Sequence, residues 1–119
     1  MNYFNKLYFA LACAVALSSA LGCAPSPCDE LADQWKQCWC AGATPSTTRP
    51  QHSIDEACVS RDAFLQSPVA VPDSDRKAIL RCDEQDARWA QARMDASECR
   101  AGGSYVCGGS DPQVCLPPE

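Results

Sequence analysis

The chain has a single histidine, His52, in 119 residues, which excludes a metal site built on two imidazoles and leaves a histidine-paired nucleophile without backup ligands. G-x-S-x-G, H-E-x-x-H and the P-loop are all absent, so the serine-hydrolase, zincin and phosphate-cradle routes to chemistry are closed. Positive charge is scarce, with 10 Lys and Arg against 15 Asp and Glu, and that balance disfavours nucleic acid and any electrostatic grip on anionic headgroups. Also missing are an alternating strand pattern of useful length and a Ser/Gly-rich stalk.

Cysteine is plentiful, with ten in the chain. The N-terminal segment decides how they are counted. Lys6 gives a positive start and Leu7 to Leu17 an unbroken apolar stretch of eleven residues. As a helix it reaches only ~16 Å, about half of a hydrocarbon core of ~30 Å. Extension to Ala24 brings the run to the lower edge of spanning length, so an uncleaved signal anchor stands as one alternative. Ser19-Ala20-Leu21-Gly22-Cys23 closes the stretch with small residues before a cysteine. In these residues the N-terminus resembles a bacterial lipoprotein precursor, with Ala20 where family members most often carry Leu. The resemblance covers residues 1–23 and implies a signal peptide over 1–22, a cut after Gly22, diacylglycerol on the Cys23 sulfur and further palmitate-type acylation of the new amine. Ala20 and Gly22 also suit an ordinary secretory cut before Cys23, which would give an unlipidated secreted protein.

Cysteine arithmetic separates these readings. Cys13 leaves with the signal segment, and nine remaining cysteines are an awkward odd number for an exported chain. With Cys23 lipidated, Cys28, Cys38, Cys40, Cys58, Cys82, Cys99, Cys107 and Cys115 can form four bridges. The mature chain of 97 residues would then carry a net charge of −6 and rest on the membrane through covalent lipid, each buried methylene adding ~0.8 kcal/mol. A Pro-rich tether over residues 23–27 spans only ~12 Å from Ala24 to Pro27. Ala24, in place of the Asp that retains lipoproteins at the inner membrane, implies the outer membrane in a two-membrane host.

The mature part, residues 28–119, reads as one small all-α domain of three helices stapled by disulfides, with an irregular cysteine-containing C-terminal tail. Ser26 as N-cap, Pro27 and Asp29 start the first helix; Cys28, Leu31, Ala32, Trp35, Cys38 and Trp39 share one face, and Gly42 ends it. The second is expected to start at Ser53-Ile54-Asp55-Glu56, to bury Ile54, Ala57, Cys58, Phe64 and Leu65, and to stop before Pro68. The third is expected to run unbroken from Asp73 and Asp75 to Gly102-Gly103, with Ala78, Cys82, Gln85, Trp89, Ala92, Ala96 and Cys99 along one stripe. Level matching across the 67–73 connection makes Cys58–Cys82 the expected pair among the roughly one hundred connectivities that eight cysteines allow.

No constellation carries chemistry. Cys38-Trp39-Cys40 has the wrong spacing for a thioredoxin-like or metal pair and reads as two bridge halves. His52 reads as a loop residue. Asp83, Glu84 and Asp86 read as a solvated helix face with a Glu84–Arg88 ion pair, lacking the glycine-turned cage of a calcium loop. The 107–112 segment has glycines without a flanking strand and helix. Trp35, Trp39 and Trp89 read as core. Cys28 and Cys38 match one C-x9-C motif of helical-hairpin proteins, and no second follows. These readings leave catalytic, cofactor and metal residues at none. They lead to the expectation of a non-enzymatic, lipid-anchored envelope protein serving as a structural or interaction module, with a protein partner open. The alternatives are a secreted disulfide-rich binder or inhibitor and a thiol-dependent or metal-dependent envelope enzyme, the last requiring a free, low-pKa cysteine.

Overall fold

The computed structural model describes residues 25–119; the expected signal segment, Cys13, Cys23 and Ala24 lie outside the described residues. Helix α1 (Pro27–Gly42) is the element against which most of the others pack. Its start follows the sequence signals: the Ser26 hydroxyl accepts from the Asp29 N–H at 3.1 Å, Pro27 fills the first turn, and Asp29 and Glu30 face the positive end of the helix dipole. The expected face is the buried one, with Leu31 and Ala32 fully covered and Trp35 and Trp39 nearly so.

The expected second helix is two short ones. α2 (Gln51–Ala57) begins before Ser53 because Pro50, with its fixed φ of −68°, is the cap and its carbonyl accepts from the Ser53 N–H at 3.0 Å. α3 (Arg61–Gln66) follows after a break at Cys58–Ser60, where the Ser60 hydroxyl accepts from the Ala63 N–H and so starts a new helix. Ile54, Ala57, Phe64 and Leu65 are nevertheless buried as expected, whereas Cys58 is only half-buried.

The expected third helix is also broken. α4 (Asp73–Arg81) ends at Cys82, whose backbone is left-handed at φ 40°, and α5 (Glu84–Asp95) begins from a complete capping box between Asp83 and Asp86. Reciprocal side-chain and backbone hydrogen bonds give the chain a better local solution than continued helix. The phase of the buried stripe changes with the break: α5 buries Asp86, Trp89, Ala90, Arg93 and Met94, whereas Gln85 is exposed.

Nor is the fold all-α. Strands β1 (Ser97–Arg100) and β2 (Ser104–Cys107) form an antiparallel hairpin, pairing Ser97 with Cys107 and Arg100 with Ser104. Gly102 and Gly103, both left-handed at φ 85° and 84°, turn the hairpin instead of capping a helix. Cys99 therefore lies on a strand. The tail carries a 3-10 turn (Pro112–Cys115) capped by Asp111. The molecule is mostly helical, with one small sheet.

Four disulfides join these elements: Cys28–Cys82, Cys38–Cys99, Cys40–Cys58 and Cys107–Cys115. The expected Cys58–Cys82 pair does not form. The expected pair requires the second and third helices to pack on each other; instead α1 packs against both α3 and α4, and each of the two cysteines reaches it.

The hairpin turn lies backbone to backbone on the end of α1. A Cβ at Gly42 would fall 2.2 Å from the Gly103 nitrogen, and one at Gly103 would fall 2.8 Å from the Trp39 carbonyl oxygen. Gly42→Ala therefore destabilises the fold by about 2–3 kcal/mol through forced separation of the turn from the helix. A thermal melt checks this; an unchanged midpoint contradicts the close approach.

The disulfides rank by the loop each closes. With partners 54 and 61 residues apart, removal of Cys28–Cys82 or Cys38–Cys99 as paired Ala substitutions costs about 4 kcal/mol each. Cys40–Cys58, 18 residues apart, costs about 3 kcal/mol, and Cys107–Cys115, only 8 apart, about 2.5 kcal/mol. Urea unfolding of the four double variants tests the order, and a chelator leaves the parent curve unchanged.

Candidate functional site

Between α1, the 68–72 connection and the hairpin lies a cleft of about 390 Å³, walled by Trp35, Trp39, Tyr105, Pro68, Pro72 and the Gly102-Gly103 turn. Its aromatic wall follows from the α1 stripe, since Trp35 and Trp39 lie one turn apart on the same face. Arg49 forms part of the rim. Its Nε and Nη2 donate to the Thr44 carbonyl at 3.1 and 2.9 Å, and its guanidinium lies 5.7 Å from the Trp39 ring centre.

Tyr105 is held from two sides. Its hydroxyl donates to Gln34 Oε1 at 3.1 Å, and its ring lies 5.9 Å from that of Trp35. The buried Arg93 stacks 5.2 Å from Trp35 and 5.4 Å from Tyr105, and donates to the Tyr105 carbonyl at 3.3 Å and to the Ser97 hydroxyl. Burial pushes the Arg93 pKa down from its ordinary value, with Asp75 and then Tyr105 opposing; burial pushes Asp75 and Tyr105 up, with Arg93 opposing in both. The residues lining the cleft include neither carboxylate, imidazole nor thiol. They offer an apolar contact surface with the Arg49 guanidinium at its edge.

Among the described residues the sulfur chemistry is closed. Cys38 and Cys40 turn to opposite partners, Cys99 and Cys58, with Trp39 buried between them, and all eight cysteines of the described residues are in disulfides. His52 is exposed in the first turn of α2. The 107–112 segment, expected to lack flanking structure, instead runs from the end of β2 at Cys107 to the 3-10 turn at Pro112, and Cys107–Cys115 closes it. Among the described residues no group of three or more His, Cys, Asp or Glu could hold a metal ion, and no helix is long and apolar enough to cross a membrane.

The acidic group differs from the solvated face its sequence suggests. Asp86 is fully buried and accepts from Arg81 Nε and Nη2, both at 2.6 Å, while Asp83 Oδ1 accepts from the Asp86 N–H at 2.8 Å. Arg81 also donates to the Pro118 carbonyl at 3.1 Å, which ties down the tail. Glu84 and Arg88 are exposed and form no ion pair among the described residues. The sequence carried a signal for the true pair: Arg81, Asp83 and Asp86 lie within six residues, at the spacing of a helix end followed by a cap.

Comparison of the chain with protein-family models, curated proteins and solved structures finds no match.

The Arg81 guanidinium holds the Asp86 carboxyl below the usual carboxylate range in spite of burial. A carboxyl depressed on folding contributes stability above its unfolded value, about 3.9, and that contribution is lost as pH falls through the lower folded value. Asp86→Asn costs about 2 kcal/mol at neutral pH, less than in a fully buried pair because Arg81 is 43% exposed. It also flattens the fall in stability below about pH 4. Urea midpoints from pH 7 to pH 2 check both effects; an unaltered acid slope contradicts the role given to the pair.

Proposed function

We propose that the chain is a lipid-anchored cell-envelope protein that acts without catalysis as a structural or interaction module. The observation that carries this reading is the closure of the cysteines. The eight beyond residue 24 bond to one another, so once Cys13 is removed with the signal segment no thiol of the mature chain remains to partner Cys23. An exported protein with one cysteine left over, directly after Ser19-Ala20-Leu21-Gly22, fits lipid on that cysteine better than a free thiol. The interaction role is supported by the cleft, whose lining presents an apolar surface with Arg49 at its rim. Ala24 directs the protein to the outer membrane where the host has two.

Intact mass of the mature protein tests the anchor. The expected result is a chain beginning at Cys23, heavier by a diacylglycerol with or without a further acyl chain, that takes up no alkylating reagent until it is reduced. Cys23→Ser is expected to move the protein from the detergent phase to the aqueous phase on detergent partitioning. A variant wholly retained in detergent favours the uncleaved anchor, and a parent protein of unmodified mass favours secretion.

A further inference from the structure

We propose that the end of the domain around the α4–α5 corner and the C-terminal tail is a membrane-contacting face, with Leu80 and Leu116 entering the headgroup region of the bilayer that holds the anchor. The inference rests on the lipid-anchored reading. Leu80 is 56% exposed on α4 and Leu116 is 61% exposed in the tail. The Arg81–Pro118 hydrogen bond brings the two segments together, so each leucine stands within two residues of one shared contact. Cys82, two residues past Leu80, is bonded to Cys28 in the first turn of α1, with Cα atoms 6.0 Å apart. The described chain begins just before that turn, at Pro25, and Cys23 is only five residues from Cys28. Fully extended, five residues reach about 17 Å, so lipid on Cys23 cannot leave this end of the domain.

The charges suit an uncharged or zwitterionic surface. Arg81 is within 3.3 Å of Asp83 and 2.6 Å of Asp86, so one arginine offsets half the charge of this acidic pair. Glu30 and Glu84 stay exposed, which sets the occupant as phosphatidylcholine or phosphatidylethanolamine rather than an anionic lipid. Apolar side chains next to a lipid anchor add burial that the net negative charge of the chain does not supply.

Val59 provides the internal control. It is 78% exposed, and its neighbour Cys58 is bonded to Cys40 at the opposite end of α1. Leu80→Trp, Leu116→Trp and Val59→Trp proteins are purified from membranes, checked by intact mass and melting temperature, and reconstituted into phosphatidylcholine vesicles with brominated acyl chains. The expected result is that bromine quenches the tryptophan at 80 and at 116 at least about twofold more strongly than the one at 59, after subtraction of the signal of the parent protein. Acylated protein with equal quenching at all three positions, or with quenching at 59 alone, overturns the face and leaves the anchor standing. Protein without an acyl chain on Cys23 overturns both.

Discussion

Three of the four disulfides begin on α1, and the arrangement of the rest of the molecule depends on where on that helix they begin. Cys38 and Cys40 are two residues apart, hence about 200° apart around the axis. One sulfur takes the hairpin through Cys99 and the other takes the α2–α3 unit through Cys58. Cys28, three turns earlier, takes the α4–α5 corner. A single helix of sixteen residues is thereby fixed on both flanks and at its start. This matters because a chain of this size gains little from burial alone, and short helices such as α2 and α3 do not persist without tertiary support.

Between these covalent points, two arginines complete the joints that apolar packing leaves open. Arg81 satisfies the buried Asp86 and reaches the tail at Pro118, so one side chain closes the corner where two helices meet. Arg93 fills the space behind the hairpin, its guanidinium stacked on Trp35 and Tyr105 while it donates to a strand carbonyl. Both positions use the planar, multiply donating guanidinium, a job that a lysine ammonium with its point charge would do poorly.

What the sequence made legible was the part governed by uninterrupted periodicity. The cap at Ser26, the stripe from Cys28 to Trp39 and the end at Gly42 agree with α1 because nothing within the helix competes with the pattern. The other two predicted helices failed where a local cap outweighed a continuous stripe, at Ser60 and at Asp83 with Asp86. Each of those side chains offers the backbone a hydrogen bond that ends one helix and begins another, which hydrophobic spacing does not register. The hairpin was hidden for another reason. Four-residue strands are too short for alternation to be told from helix, and Gly102-Gly103 suit a helix end as well as a turn. The cysteines were readable as bridges from their number, while their partners depended on α1 packing against both α3 and α4. The cleft was not legible, because Arg49, Trp35 and Tyr105 come from a loop, a helix and a strand that meet only in the folded chain.

The same bridges set how an anchored molecule would present itself. The chain enters α1 at Pro27, and the Cys28–Cys82 bond holds the α4–α5 corner beside that entry. The cleft lies farther along the helix: Trp39 is eleven residues past Cys28, a rise of about 16 Å, and the Gly42–Gly103 contact closes the far end. Anchoring at residue 23 thus separates two surfaces of different character. Exposed Leu80 and Leu116 would then stand next to the tether, and the aromatic cleft with Arg49 on its rim would face the aqueous side. A tether this short limits how far the domain can reach, and it also limits how the domain can tilt. On the proposed anchoring, the separation along α1 would leave the cleft open to a partner while the opposite end rests on lipid.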